Sequence, residues 1–178
     1  TPEQKDRYTR VLKGHLALLL TPFPVGTTGK QIDTLARKAL WDAGLNYGHG
    51  TGHGVGSYLG VHEGPQSISP TRDTGVPLRP GMVCSNEPGF YAPGKYGLRI
   101  ENLVFVAEDK NHSNGQVPFL RFENLTLCPI DTKLINKSLL TPEELVYLNS
   151  YHARVRRMLV PYLDRAEATW LEKATRSI

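Results

Sequence analysis

Apolar residues recur with helical spacing near both ends of the chain. Residues 3–20 carry one apolar stripe, formed by Tyr8, Val11, Leu12, Leu16, Leu19 and Leu20. A second helix is predicted over residues 28–43, because a threonine suited to the N-cap precedes an apolar stripe and Gly44 suits the position after the last turn. Two further amphipathic helices are predicted over residues 142–161 and 163–175.

The middle of the chain contains the shorter apolar runs that are typical of strands. Residues 82–90 and 98–107 are predicted to be two strands joined by a hairpin rich in glycine and proline. Residues 119–128 alternate between apolar and polar positions and predict a further strand. The order of helices, then strands, then helices favours an α+β fold with helices on one side of an antiparallel sheet.

Composition and charge argue against two kinds of partner. The chain has 39% apolar and 21% charged residues, as soluble globular proteins have, and no apolar run is long enough to span a membrane. The formal charge is +4, but the basic residues are scattered, apart from one group formed by Arg154, Arg156 and Arg157. Aromatic residues are not interleaved with them, as they would be in a strand-binding face. We therefore expect neither a membrane nor a nucleic acid as a partner.

The two cysteines, Cys84 and Cys128, lie far apart in apolar runs and do not have the spacing of a metal site. We predict two small buried thiols in a reducing compartment, and therefore a cytoplasmic protein. A single disulfide between them is the alternative.

The first candidate chemistry lies in residues 46–64, where His49, His53 and His62 stand among seven glycines. Glycine permits an extended, closely approached backbone that can point several imidazoles into one small volume. The pattern is not the helical HExxH motif, because Gly50 follows the first histidine, and it lacks the lysine of a phosphate loop. Such histidines suit metal ligation and proton transfer. Solvated loop histidines are the alternative.

Two glutamates lie at the predicted strands. Glu87 ends the apolar run of the first strand, and Glu101 lies inside the second, where a carboxylate is costly unless it is paired or bound to a metal. The alternatives are an ion pair of Glu101 with Arg99 on the same strand face, and a turn position for Glu87. One histidine and two carboxylates suit Mn, Zn, Co or Fe(II), and Arg99 is placed to orient a carboxylate of the site.

Three runs of the sequence, residues 49–65, 86–91 and 97–102, together resemble the aminopeptidase P branch of the pita-bread metallopeptidases. Residues 122–130 and 148–152 extend the resemblance over almost the whole chain. They favour this branch over prolidase, creatinase and methionine aminopeptidase, which share the general fold.

The resemblance implies a pita-bread α+β fold, with a curved antiparallel sheet and helices on its outer face. Residues 1–130 would form part of the catalytic domain, and residues 131–178 a C-terminal helical extension packed on the same domain. The chain begins on a helix N-terminus signal, Thr1-Pro2-Glu3-Gln4. We therefore expect it to be the C-terminal portion of a longer protein, with an incomplete fold.

For the site, the resemblance implies that His53, Glu87 and Glu101 are metal ligands, with Glu101 bridging two divalent ions. The expected metal is Mn2+, with Zn2+ or Co2+ as alternatives. His49 and His62 would line the substrate pocket and assist proton movement or transition-state stabilisation. Glu87 would also help to manage the proton of a metal-activated hydroxide.

The implied reaction is removal of the N-terminal residue that precedes proline, and Arg99 matches a residue that supports the ligands. The expected partners are proline-containing peptides, the missing N-terminal part of the same protein and, in the parent protein, a second copy in a homodimer. A related prolidase-like dipeptidase is one alternative. A non-catalytic interaction module that retains half of a metal site is the other.

Two further aspartate ligands of the family belong on a strand upstream of the first helix. The aspartates of this chain are instead predicted on helices or loops, at Asp6, Asp33, Asp42, Asp73, Asp109, Asp131 and Asp164. We therefore expect the parent protein to be active and this chain alone to be inactive.

Overall fold

A computed structural model describes residues 1–58, 60–72, 74–113 and 115–178 of the chain. The helices are α1 (Pro2–Leu20), α2 (Gly29–Trp41), α3 (Pro142–Leu159) and α4 (Arg165–Ala174), with short 3-10 turns at Lys137–Leu139 and Val160–Tyr162. The strands are β1 (Phe23–Pro24), β2 (Gly52–His53), β3 (Ser67–Ile68), β4 (Val83–Asn86), β5 (Gly89–Ala92), β6 (Tyr96–Arg99), β7 (Asn102–Asp109) and β8 (Phe119–Asn124).

The predicted helices are confirmed, with ends that differ by no more than two residues. At the start of α2, the Gln31 side chain accepts a hydrogen bond of 2.7 Å from the backbone N–H of Thr28, the predicted cap. At its end, Gly44 has a φ of +69°. Its N–H bonds the carbonyl of Trp41, and the N–H of Leu45 bonds the carbonyl of Leu40. Glycine tolerates this left-handed conformation, so the helix stops where the sequence predicts.

The two predicted strands of the hairpin are each interrupted, which corrects the prediction. Asn86 pairs with Asn102 at the end of one ladder, and Gly89 pairs with Arg99 at the start of the next. The two unpaired residues on one side therefore include Glu87, and the two on the other include Glu101. Glu101 was predicted to lie inside a strand, but it lies in the gap between β6 and β7. Because the two gaps face each other across the hairpin, both glutamates lie at one interruption of the sheet.

The larger sheet has the strand order β1-β8-β7-β4, and every pairing in it is antiparallel, as predicted. Two small ribbons, β2–β3 and β5–β6, are also antiparallel. The predicted strand at 119–128 is shorter than expected, because pairing with β7 ends at Asn124. None of the helices that the structure describes has both the length and the apolar composition of a membrane span.

The described residues form two compact units. The first contains Thr1–Thr9 and Leu127–Ile178, and the second contains Arg10–Thr126. In the first unit, the core includes Leu148, Val155 and Leu171. In the second, it includes Leu12, Leu16, Leu40, Ile68 and Val104. The division at residue 130 into a catalytic part and an extension stays a prediction.

Both cysteines are free thiols, so the two described sulfurs form no disulfide. Cys84 is buried on β4, as predicted, and burial raises the pKa of its thiol to about 12. The prediction for Cys128 is wrong. This residue is exposed, because β8 ends four residues earlier and the chain there runs without a strand partner.

The fully buried His15 on α1 predicts a specific loss of stability in acid. Its Nδ1 lies 3.2 Å from the carbonyl of Asn86. Burial lowers the pKa of His15 to about 4, against about 6.5 when exposed. The unfolded chain therefore takes up this proton first, and stability falls as pH drops from about 6.5 to 4, by about 3 kcal/mol.

The His15→Gln variant of the metal-free full-length protein checks this expectation, because glutamine keeps a hydrogen-bonding group without titrating. Thermal unfolding from pH 8 to pH 4 should show a shallower acid loss in the variant, by about 3 kcal/mol. Above pH 7 the two proteins should follow parallel curves. Equal acid losses would show that His15 does not titrate in this window.

Candidate metal centre

Three segments of the second unit bring one histidine and two glutamates together. His53 lies on β2, Glu87 in the gap between β4 and β5, and Glu101 in the gap between β6 and β7. One ligand atom from each lies within 4.8 Å of the other two. The backbone N–H of Glu87 donates to the carbonyl of Thr51 at 2.8 Å, which joins the glycine-rich segment to the first glutamate.

The imidazole of His53 is oriented by its own backbone. Its Nδ1 lies 2.9 Å from the carbonyl of Gly54, so Nδ1 carries the hydrogen and donates it. In the neutral imidazole, Nε2 is then the nitrogen with a free lone pair, and it lies 3.4 Å from Oε1 of Glu87. Two electron-rich atoms facing each other in this way suit a cation bound between them, and a backbone-oriented histidine is the usual form of a metal ligand.

The two glutamates differ in their surroundings. Glu87 is 9% exposed, and its Oε1 accepts a hydrogen bond of 2.9 Å from the hydroxyl of Ser85. The same hydroxyl accepts a bond of 2.9 Å from the backbone N–H of His53. The side chain of Glu101 is 43% exposed. The sequence predicted a costly buried carboxylate at Glu101, but the carboxylate that is buried, and therefore costly unless it is paired or bound to a metal, is that of Glu87.

Arg99 lies beside both carboxylates. Its Nη1 is 3.3 Å from Oε2 of Glu87 and 4.0 Å from Oε2 of Glu101. The ion pair with Glu101 that the sequence left as an alternative is thus the looser of the two contacts. The hydroxyl of Tyr91 accepts from Nε of Arg99 at 3.0 Å, and this bond raises the pKa of Arg99, as both carboxylates also do.

His49 is held by the same tyrosine. Its Nδ1 lies 2.7 Å from the carbonyl of Gly50 and therefore carries the hydrogen, so the Tyr91 hydroxyl donates to Nε2 at 2.9 Å. Arg99, Tyr91 and His49 thus form one directional chain of hydrogen bonds. Tyr91 was not predicted as a site residue, because it lies 42 residues from His49 in sequence and meets it only through the fold.

A cavity of about 610 Å3 opens at this site, and its lining includes His49, His53, His62, Glu87 and Arg99. The ring of His62 lies with its centroid 4.2 Å from that of His53. The structure therefore brings the three histidines of the glycine-rich segment to one cavity. The roles expected for His49 and His62 towards a substrate stay predictions.

Ser85 and Thr51 also went unpredicted. Ser85 was within reach of sequence reasoning, because residues two apart on a strand share a face and Ser85 precedes Glu87 by two. None of the described aspartates joins the cluster of donors. Asp109 was predicted to lie on a loop, but it is the last residue of strand β7, where its side chain is hydrogen-bonded to His112. Asp73 lies outside the described residues.

Metal-dependent hydrolases hold their ions with histidine and carboxylate donors of this kind, beside an open cavity. The comparison with known families is more specific. The sequence model of metallopeptidase family M24 matches residues 1–108, and the model of the C-terminal region of peptidase M24 matches residues 118–178. The chain therefore belongs to metallopeptidase family M24.

Among its relatives, aminopeptidase P1 of Lotus japonicus is 50% identical over 98% of this chain, which corresponds to 27% of that protein. The crystal structure of X-prolyl aminopeptidase from Caenorhabditis elegans, described as a cytosolic enzyme with a di-nuclear active site, matches with a TM-score of 0.92 and 46% identity. That match covers 99% of this chain and 29% of the other. A Bacillus anthracis Xaa-Pro dipeptidase matches less well, with a TM-score of 0.59, 32% identity and coverage of 74% and 33%.

These similarities confirm the expected α+β pita-bread fold and the resemblance to aminopeptidase P. They also show that the chain spans less than a third of the length of these relatives.

Proposed function

We propose that this chain supplies part of the metal site of an Xaa-Pro aminopeptidase. The observation that carries the proposal is the placement of His53, whose Nε2 lies 3.4 Å from Oε1 of Glu87 with Glu101 beside it. The similarity to aminopeptidases is higher in identity and coverage than the similarity to the dipeptidase, which supports the substrate class.

In this proposal, His53, Glu87 and Glu101 would hold two divalent ions, with Glu101 as the carboxylate common to both. The ions, which we propose to be Mn2+ with Zn2+ or Co2+ as alternatives, would supply Lewis-acid chemistry by lowering the pKa of water and polarising the scissile carbonyl. The exposed position of Glu101, with 43% of its side chain accessible, suits a ligand that is shared between two ions. We also assign Glu87 to handling the proton of the metal-activated water; its Oε1 accepts a hydrogen bond from Ser85, and its Oε2 lies 3.3 Å from Nη1 of Arg99.

The cavity residues act on the peptide. We assign His49 and His62 to substrate binding and proton movement, because both line the cavity beside His53. The carbonyl of Gly50 sets the tautomer of His49, and Tyr91, which itself accepts a hydrogen bond from Arg99, holds the ring in place. The proposed substrates are proline-containing peptides, and we further propose a homodimeric parent protein in the cytoplasm.

Hydrolysis by the full-length protein that contains this chain tests the proposal. We expect Mn2+-dependent release of the first residue from Xaa-Pro-Yaa tripeptides, and loss of that activity with a chelator. Cleavage restricted to Xaa-Pro dipeptides would favour the dipeptidase alternative. A full-length protein that binds no divalent metal would favour the interaction module. The three donors of this chain form only part of a two-metal site, so we expect the chain alone to be inactive.

The Ser85→Ala variant should weaken metal binding, because the hydroxyl of Ser85 joins the backbone of His53 to the carboxylate of Glu87. Losing such a supporting contact costs roughly 10–100-fold in metal affinity or activity. Isothermal titration of the metal-free full-length protein with Mn2+ measures the effect. Ser69→Ala is a matched control. Ser69 is also a buried serine at the cavity, but it is hydrogen-bonded to Thr71 and Arg72 and not to any of the three candidate metal ligands. Equal losses in both variants would contradict the expectation.

A further inference from the structure

A buried ion pair on α2 lies against the histidine- and glycine-rich segment. Asp33 and Arg37, one turn apart, are only 2% and 3% exposed. Arg37 donates from Nε to Oδ2 of Asp33 at 2.6 Å and from Nη2 to Oδ1 at 3.2 Å, a two-point contact. Taking both charges out of water is costly, so such a pair persists where its other hydrogen-bonding groups are also satisfied.

The remaining donors of Arg37 bind the segment that leads to the metal centre. Nη2 donates to the carbonyl of His49 at 2.6 Å, and Nη1 donates to the carbonyl of Tyr47 at 2.8 Å. Nη1 also reaches Oδ1 of Asn46 at 3.1 Å, and the guanidinium lies 4.0 Å from the centre of the Tyr47 ring. One side chain therefore fixes the path of residues 46–49.

Asp33 fixes the next part of the same segment. Its Oδ1 accepts from the hydroxyl of Thr51 at 2.6 Å. The Thr51 hydroxyl has one hydrogen, so the Tyr47 hydroxyl must donate to it across the 2.6 Å that separate them. Burial raises the pKa of Tyr47 to about 12, in keeping with a phenol that retains its hydrogen. The carbonyl of Thr51 accepts the backbone N–H of Glu87.

We propose that the Asp33–Arg37 pair is a positioning element of the metal centre and acts through Thr51. The pair fixes the backbone of residues 46–51. Thr51 in turn positions Glu87 through a backbone hydrogen bond, and it positions His53 because His53 follows it by two residues in the chain. The inference rests on the proposed function, because it concerns how the donors of that site are placed.

The Thr51→Val variant tests the inference, because it keeps the shape of the side chain and removes the hydroxyl that bonds Asp33 and Tyr47. Arg37→Ala is unsuitable, since it leaves Asp33 buried without its partner. Co2+ titration of the full-length metal-free protein reports both affinity and the visible absorption spectrum, which depends on ligand geometry. We expect about tenfold weaker Co2+ binding and an altered spectrum for Thr51→Val. Thr51→Ser keeps the hydroxyl and should restore both.

Two further variants on α2 separate positioning from general stability. Arg37→Lys keeps the charge but not the planar fork, so we expect the same direction of change as in Thr51→Val. Lys38→Ala breaks the exposed Lys38–Asp42 pair one residue along and should leave Co2+ binding unchanged. Thermal unfolding of each metal-free variant is measured in parallel.

The outcomes distinguish the inference from the proposed function. A wild-type protein that binds neither Co2+ nor Mn2+ overturns the proposed function. A wild-type protein that binds Co2+, with Thr51→Val and Arg37→Lys matching its affinity and spectrum, overturns only the positioning role, even if both variants melt earlier. Failure of both variants to fold would also count against it, because the pair would then serve folding rather than placement.

Discussion

Replacing Glu101 with alanine should abolish metal-dependent peptidase activity while leaving the protein folded. Glu101 is the most exposed of the three donors, with 43% of its side chain accessible, so its removal opens no cavity and strands no buried charge. The expected change in the free energy of unfolding of the metal-free protein is therefore within about 0.5 kcal/mol. Activity should fall by more than about 100-fold, because even a residue that only supports a ligand costs 10–100-fold.

Glu123→Ala is the matched control for Glu101. Glu123 lies on β8, with 34% of its side chain accessible, and it also pairs with an arginine, Arg121. It does not belong to the donor cluster. Peptide hydrolysis and Mn2+ titration of the two full-length variants should separate them clearly. If Glu101→Ala retains wild-type Mn2+ affinity, Glu101 is not a ligand and the proposed shared carboxylate is wrong.

Features that depend on neighbouring residues were predictable from the sequence. The helices follow from apolar spacing and caps, as at Thr28 and Gly44, where the stabilising groups lie within a few residues of each other. The candidate donors were also found, because histidines among glycines and a glutamate at the end of an apolar run are unusual in sequence. The family then followed from three short runs that occur together.

Features that depend on distant partners were not predictable. The interruption at Glu87 and Glu101 exists because β4 and β7 pair in one sheet while β5 and β6 pair in another. Pro88 marks the break in the first run, because proline has no N–H to donate to a ladder, but nothing in the run that contains Glu101 marks it. The Asp33–Arg37 pair has the spacing of an ordinary exposed helix pair, and only the segment packed over it makes it buried. Sequence alone therefore indicated the candidate metal donors but not the contacts that hold these residues in place.

Contacts with distant residues also decide which glycines of residues 46–64 the fold requires, and the sequence pattern does not show this. A Cβ on Gly52 would lie 2.0 Å from the backbone carbonyl oxygen of Ser85. Because backbone cannot move aside as a flexible side chain can, β2 would have to shift away from β4 and carry His53 with it. We expect Gly52→Ala to lower the free energy of unfolding by about 3 kcal/mol and to weaken metal binding at the same time.

Gly48→Ala is the matched control, because it also replaces a glycine of this segment with alanine but introduces no steric clash. A Cβ on Gly48 meets no heavy atom of the described residues within 4 Å, and its φ lies outside the left-handed region. That variant should be neutral or slightly stabilising, by up to about 1 kcal/mol, because alanine reduces the freedom of the unfolded chain. Chemical denaturation and Mn2+ titration of both full-length variants measure the contrast. Equal stability of Gly52→Ala and Gly48→Ala would mean that β2 does not lie as close to β4 as the structure places it, and the position of His53 beside Glu87 would lose its support.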